Sequence, residues 1–211
     1  MTAETAPNRP RPRRGTATAG FTLLELLVAT ALAATILVAS VPPILDASRR
    51  LRLATAAAEA SRALHLARSY AVRHSAHVGV RLTTDPASGR VTWALYRDGD
   101  GDGVLARDVR SGDDPRIGGT GRALAHTGTG IRLGFPPVAD LRDPSGARLG
   151  RRDDPVRFNR SDVASFGPTG TATPGSLYLT DGRDGLACVR VTSRTGRVRV
   201  LIRDPETGEW E

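Results

Sequence analysis

The feature that most constrains this chain is the run AGFTLLELLVATALAATILVASVPPIL, Ala19 to Leu45, which is apolar except for one carboxylate, Glu25. From Leu26 to Leu45 no residue is charged, and at 1.5 Å rise per residue such a stretch spans about 30 Å, the thickness of a bilayer core. Burying an ionised acid in hydrocarbon costs about 3 kcal/mol on insertion scales, so Glu25 needs a partner. Arg9, Arg11, Arg13 and Arg14 all precede the run. The positive-inside rule therefore keeps residues 1–20 in the cytoplasm and sends the rest of the chain outward.

Three readings fit such a run. It can be a plain transmembrane anchor. It can be a secretory signal peptide, with Val38–Ser40 supplying the small residues a signal peptidase accepts. Or the cut can fall before the apolar run, between Gly20 and Phe21, so that the apolar segment stays on the mature protein.

Beyond Leu45 the chain turns polar but keeps a helical period. Leu53, Ala57, Ala60, Leu64, Ala67 and Ala71 recur at alternating spacings of four and three, which is one narrow stripe. Arginines at 49, 50, 52, 62, 68 and 73 and Glu59 fall mostly elsewhere. The spacing predicts a helix from about Phe21 to His77, broken or bent at Pro42-Pro43. Its organisation reads as a leader (1–20), a transmembrane segment (21–45) and an amphipathic continuation (46–77).

From Val78 the period changes to two. VGVRL, RVTWALYRD, IRLGF, VRF, SLYLTD, LACVRVTS and GRVRVLIRD alternate, and Asp-Pro, Asp-Gly and Thr-Gly pairs punctuate them. Val91, Trp93 and Leu95 should share one face. The stretch from Gly118 to Gly130 is Gly-rich and reads as an irregular loop. The expected fold class is α+β: a long N-terminal helix, transmembrane in its first half and amphipathic in its second, packed on an antiparallel β-domain over residues 78–211. Aromatic residues are only 4% of the chain, so the core should be mostly Val, Leu, Ile and Ala.

The N-terminal pattern, a polar basic leader, Gly20, Phe21 and then TLLELLVATAL, resembles the type IV prepilin signature. The C-terminal third resembles the GspH/FimT branch of pseudopilins and minor pilins. The residues that carry this are Phe166 to Gly170, Ser176 to Leu179 and Ser193 to Val198, with Ala67-Arg68 and Ala71 on the helix. The resemblance implies cleavage by a prepilin peptidase between Gly20 and Phe21 and N-methylation of Phe21. It implies that Glu25 pairs with the N-terminal amine of a neighbouring subunit. It further implies a single-pass inner-membrane protein with a periplasmic C-terminal domain. Such a protein assembles into a type II secretion pseudopilus or a type IV pilus, with other pilins or pseudopilins and an inner-membrane assembly platform as partners. Two alternatives stay open: a DNA-uptake pilin, and a secreted β-protein whose signal peptide is removed near Val41.

Two surface motifs raise further chemistry. Asp98, Asp100 and Asp102 alternate ahead of Gly103, as at the opening of a calcium loop, with Asp108 one place short of the twelfth position, where Val109 stands. A solvated hairpin turn is the competing and favoured reading. On the last strand Arg197, Arg199 and Arg203 should point outward with Arg190 beside them, a face that could grip phosphates. All 30 basic residues are Arg and the net charge is +8. A solvated face in an Arg-rich chain is therefore the reading the sequence favours over nucleic-acid binding.

Catalysis is not expected. There is no Walker loop and no nucleophile elbow. His65, His74, His77 and His126 form no ligand set; His74 and His77 share a helix face without a third partner. Asp113-Asp114 and Asp153-Asp154 read as turns before proline. The lone Cys188, alternating with apolar residues, reads as a buried small hydrophobe. No cofactor is expected other than calcium.

Overall fold

The computed structural model describes residues 20–159, 161–192 and 195–211. The leader arginines and Ser193 lie outside the described residues. Compactness divides the chain between Ile44 and Leu45.

The first helix, α1, runs Leu23–His74 over 52 residues. Thr22 caps it: its hydroxyl accepts from the Glu25 amide at 3.2 Å, and its carbonyl accepts from the Leu26 amide at 3.1 Å. Thr22 and Glu25 thus stand at the capping-box positions, with the acid in the first turn where the helix dipole favours it. The helix stops three residues short of the expected His77, at a backward-turned Ser75 with φ of 48°. Of the break or bend expected at Pro42-Pro43, the break is absent: the helix is continuous through both prolines. Two adjacent prolines remove the amides that would have bonded the Val38 and Ala39 carbonyls, and the helix continues because the turns on either side keep their own bonds.

In the second unit the alanine stripe is the buried face. Leu53, Ala57, Ala60, Leu64, Ala67 and Ala71 are all at most 2% exposed, and Ala56 and Ala63 join them. They pack in one cluster with the inner residues of two antiparallel sheets. The first sheet has the order β3-β2-β1-β6, from β1 (Val78–Thr84), β2 (Val91–Arg97), β3 (Arg116–Ala123) and β6 (Val163–Phe166). The second has the order β4-β7-β8-β9, from β4 (Arg132–Leu133), β7 (Gly175–Thr180), β8 (Leu186–Thr192) and β9 (Arg197–Arg203). A short β5 (Val156–Phe158) shares with β4 the free side of β7.

Each sheet also has its outer face partly covered. A short helix α2 (Ala106–Ser111) and the Asp-rich loop before it bring Val104, Ala106 and Val109 against Ala94, Tyr96 and Val163 of the first sheet. On the second sheet, Leu141 and Leu149 with Phe135 and Val138 cover Tyr178, Leu186 and Cys188. As expected, Cys188 is fully buried, and burial pushes its thiol up to about 11, which keeps it protonated and unreactive near neutral pH.

The Gly118–Gly130 stretch is not all loop, because its first part lies in β3. There the ladder is irregular: Leu95 pairs Ile117 and Trp93 pairs Arg122, so four residues of β3 face one of β2. That bulge explains why alternation is absent from RIGGTGRA, none of whose residues is buried.

Two polar side chains on α1 fix its seat. Glu59 accepts from the Ala125 amide at 2.6 Å, just after β3. Arg68 donates from Nε to the Gly170 carbonyl at 3.1 Å, in the turn after β6. Gly196, in the β8–β9 turn, lies against both: a Cβ there would come within 2.3 Å of the Gly170 oxygen and 3.0 Å of Arg68 Nε, and its φ is 56°. Arg68 is thus bonded to a turn of the first sheet, and a turn of the second sheet packs closely against both. Gly196→Ala should destabilise the domain by about 2 kcal/mol or more, through the clash and the left-handed backbone together. Urea denaturation of the two proteins measures it; an unchanged midpoint would contradict the clamp.

Candidate functional site

Three features were singled out in the sequence, and the structure treats each differently. The first is the start of α1. Gly20 and Phe21 precede the helix, both exposed, and Glu25 is its third residue. Phe21 is 82% exposed and Leu23 83%, and Leu24, Leu26 and Leu27 are similarly open. A helix whose apolar side chains face outward all round has no core of its own to bury them in, and it is long and apolar enough to cross a membrane. Glu25 is the one charged residue in this surface and makes no ion pair among the described residues.

The second feature is the Asp-rich loop. Carboxylate oxygens of Asp98, Asp100 and Asp102 lie within 4.8 Å of one another. They also serve the loop itself. Asp98 accepts from the Gly101 amide at 2.7 Å and the Gly103 amide at 3.1 Å, and Asp100 accepts from the Asp102 amide at 3.3 Å. Asp102 takes a 2.5 Å bond from Arg107. Desolvation, with the neighbouring Asp100 charge, raises the Asp102 carboxyl above its ordinary range. Asp108 does not join the three: it is buried in α2 and its carboxylate meets Arg107 Nε at 3.1 Å. Three monodentate acids supply part of the six to eight oxygens that calcium takes.

Sequence reasoning missed the residue that closes this loop. Asp114, read as a turn acid, is 1% exposed. It accepts from the Gly99 amide at 3.1 Å through one oxygen and from the Leu105 amide at 3.0 Å through the other, tying both ends of the loop together. Nothing in an Asp-Asp-Pro triplet distinguishes this acid from its neighbour Asp113, which is exposed.

The third feature is the arginine face. Arg197 and Arg199 are exposed, as expected, on the side of β9 opposite the buried Val198. Arg203 faces the same side as Arg197 and Arg199 but is only half-exposed, because the chain end folds back beside it: Arg203 bridges Trp210, and Ile202 exchanges backbone bonds with Glu211. Arg190 is not free either. Its guanidinium donates to Asp143 Oδ2 at 2.9 Å and to Ser176 Oγ at 3.3 Å.

Asp143 belongs to a recurring device. Asp85, Asp143 and Asp204 each precede proline and accept backbone amides two to four residues on. Their carboxyls sit below the ordinary range. The Ser88 hydroxyl does this for Asp85 and the Glu206 amide for Asp204; at Asp143 burial opposes the shift, and the Ser145 hydroxyl and amide, the Ala147 amide and Arg190 together outweigh it.

Asp114→Ala should cost about 2 kcal/mol, since two part-buried amides lose their acceptor. Asp113→Ala should cost little. Thermal or urea melts of the two variants decide it, and equal effects would contradict the closing role of Asp114.

With the geometry in view, the comparisons can be read. No curated protein matches the sequence. Two solved structures align, both of the minor pseudopilin EpsH from the type II secretion system of Vibrio cholerae. One is 16% identical, covers 71% of this chain and 96% of its own, and has a TM-score of 0.40. The other is 16% identical, covers 68% and 89%, and has a TM-score of 0.38. The family model for the type II transport protein GspH matches residues 56–196, from the buried half of α1 to the last β-turn. That match takes in well over half of the sequence, and the chain therefore belongs to the GspH pseudopilin family.

Proposed function

We propose that the protein is a minor, non-enzymatic structural subunit of a type II secretion pseudopilus. In this reading it is made as a prepilin, cut by a prepilin peptidase between Gly20 and Phe21, and N-methylated on Phe21. The apolar half of α1 then holds it in the inner membrane as a single-pass protein, with the domain from Val78 on in the periplasm, until it enters the filament with other pseudopilins at an assembly platform. The observation that carries this reading is the outward-facing apolar surface that begins at Phe21 and holds a single acid in its first turn.

The chemistry of that acid follows from where it would sit. Cleavage after Gly20 would create a cationic amine at Phe21, four residues before Glu25. A carboxylate and an amine that meet in a low-dielectric environment offset much of each other's desolvation, whereas either alone is strongly disfavoured. Pairing Glu25 of one subunit with the amine of its neighbour would therefore fix the axial register between helices. A charge-neutral side chain at 25 would still insert and still be cut, but the amine would lack its partner.

Glu25→Ala should leave membrane insertion, cleavage and the folded domain intact while reducing incorporation into sheared filaments by about tenfold or more. Quantitative immunoblotting of the membrane and filament fractions measures both. Undiminished incorporation would remove the pairing role.

A further inference from the structure

The outer face of the second sheet carries an arrangement that neither the helix nor the family accounts for. Strand register places Arg157 opposite Ser176, Ser176 opposite Arg190 and Arg190 opposite Arg199. These four side chains form one row across β5, β7, β8 and β9, at the strand spacing of about 4.8 Å. Arg197 stands two residues from Arg199 on the same face, opposite Thr192. Arginines directly opposite one another on adjacent strands repel, so the Arg190–Arg199 pair costs stability unless an anion lies across it.

One such anion is already present. Asp143 reaches over the sheet from the covering segment and holds Arg190 at 2.9 Å, while Arg197 and Arg199 remain exposed. Beside the row is an open cavity of about 280 Å³, lined by Ser176, Arg190, Arg157 and Asp143 among others. The chemistry displayed is a carboxylate docked on an arginine row with room for more.

From this we infer that the row is a docking surface for an acidic segment of a different pseudopilus subunit, whose carboxylates would bind Arg197 and Arg199 as Asp143 binds Arg190. A second copy of this chain is the wrong occupant: its net charge is +8, and it stays positive at +5 once Arg9, Arg11, Arg13, Arg14 and Glu4 leave with the leader. A nucleic-acid strand fits less well. Bases need open aromatic platforms, and on this face Tyr178 is 3% exposed beneath Phe135 at a centroid distance of 4.8 Å, while Phe135 and Trp210 are themselves partly buried against the same cluster. The inference rests on the pseudopilin reading for the identity of the partner, but binding itself can be measured without assembly.

The test uses the full chain in non-ionic detergent micelles and a rhodamine-labelled oligoglutamate peptide, followed by fluorescence anisotropy at low and high salt. An oligothymidylate of equal charge is the comparison. The peptide should bind in a salt-sensitive manner and more tightly than the oligothymidylate. The pair Arg197→Ala and Arg199→Ala should weaken it by about tenfold. The pair Arg110→Ala and Arg183→Ala, which removes the same charge elsewhere, should not. Asp143→Asn, which keeps an acceptor in the turn but releases Arg190, should tighten binding. Absence of peptide binding, equal loss in both arginine pairs, tighter binding of the oligothymidylate, or no gain from Asp143→Asn would overturn the inference. Failure here leaves the role of Glu25 untouched, and failure of Glu25→Ala to impair incorporation leaves this surface untouched.

Discussion

The seam of small side chains along α1 is the constraint on which the domain depends. Ala56, Ala57, Ala60, Ala63, Ala67 and Ala71 are each at most 2% exposed and meet residues of both sheets in one cluster. Alanine lets the backbone of the helix come close, so the bulk needed to fill the core comes from the strands: Phe158, Phe166, Leu177, Leu179 and the valines of β1, β2 and β8. A longer side chain anywhere on the seam would push the helix off both sheets at once, since packed interiors have little slack. Glu59 and Arg68 then fix the helix against sliding, because each holds a backbone group from a different part of the sheet framework.

One helix thus serves two environments. Before Ile44 its apolar side chains face outward; after Leu45 its apolar stripe faces inward and its charges face water. The two prolines and Asp46 mark the changeover in sequence, and the helix continues through it. A segment built this way is stable only where something other than water covers its first half. Membrane lipid and the packed helices of a filament both provide that. The capping pair at Thr22 and Glu25 suits either, since it satisfies a backbone amide locally at the end where a new amine would arise.

Much of this was legible in the residues. The stripe could be read because every third or fourth residue is small or apolar for five turns. The strands could be read because Val, Leu and Trp alternate with polar residues wherever one face is buried. Legibility failed where that contrast fails. The β3 strand is bulged and has no buried residue, so it leaves no alternation to find. The α2 helix has only six residues and one buried side chain. The Pro42-Pro43 pair predicts a break by local rules alone, which long flanking helix overrides. Pairings between distant residues were invisible altogether: Arg190 with Asp143, Glu59 with Ala125, and Asp114 across the Asp-rich loop each depend on the folded chain bringing remote segments together. Among the candidate site residues, Gly20, Phe21 and Glu25 could be picked out in the sequence because they lie within six residues of one another, whereas the arginine row exists only through strand register.

The account turns on whether the apolar segment that begins at Phe21 stays on the mature protein. The most direct measurement is the intact mass and N-terminal sequence of the protein recovered from membranes of its native host. The account predicts a chain beginning at Phe21 with the mass of one added methyl group. A soluble protein beginning near Val41 would contradict it, because Glu25 and the outward-facing helix would then have been discarded.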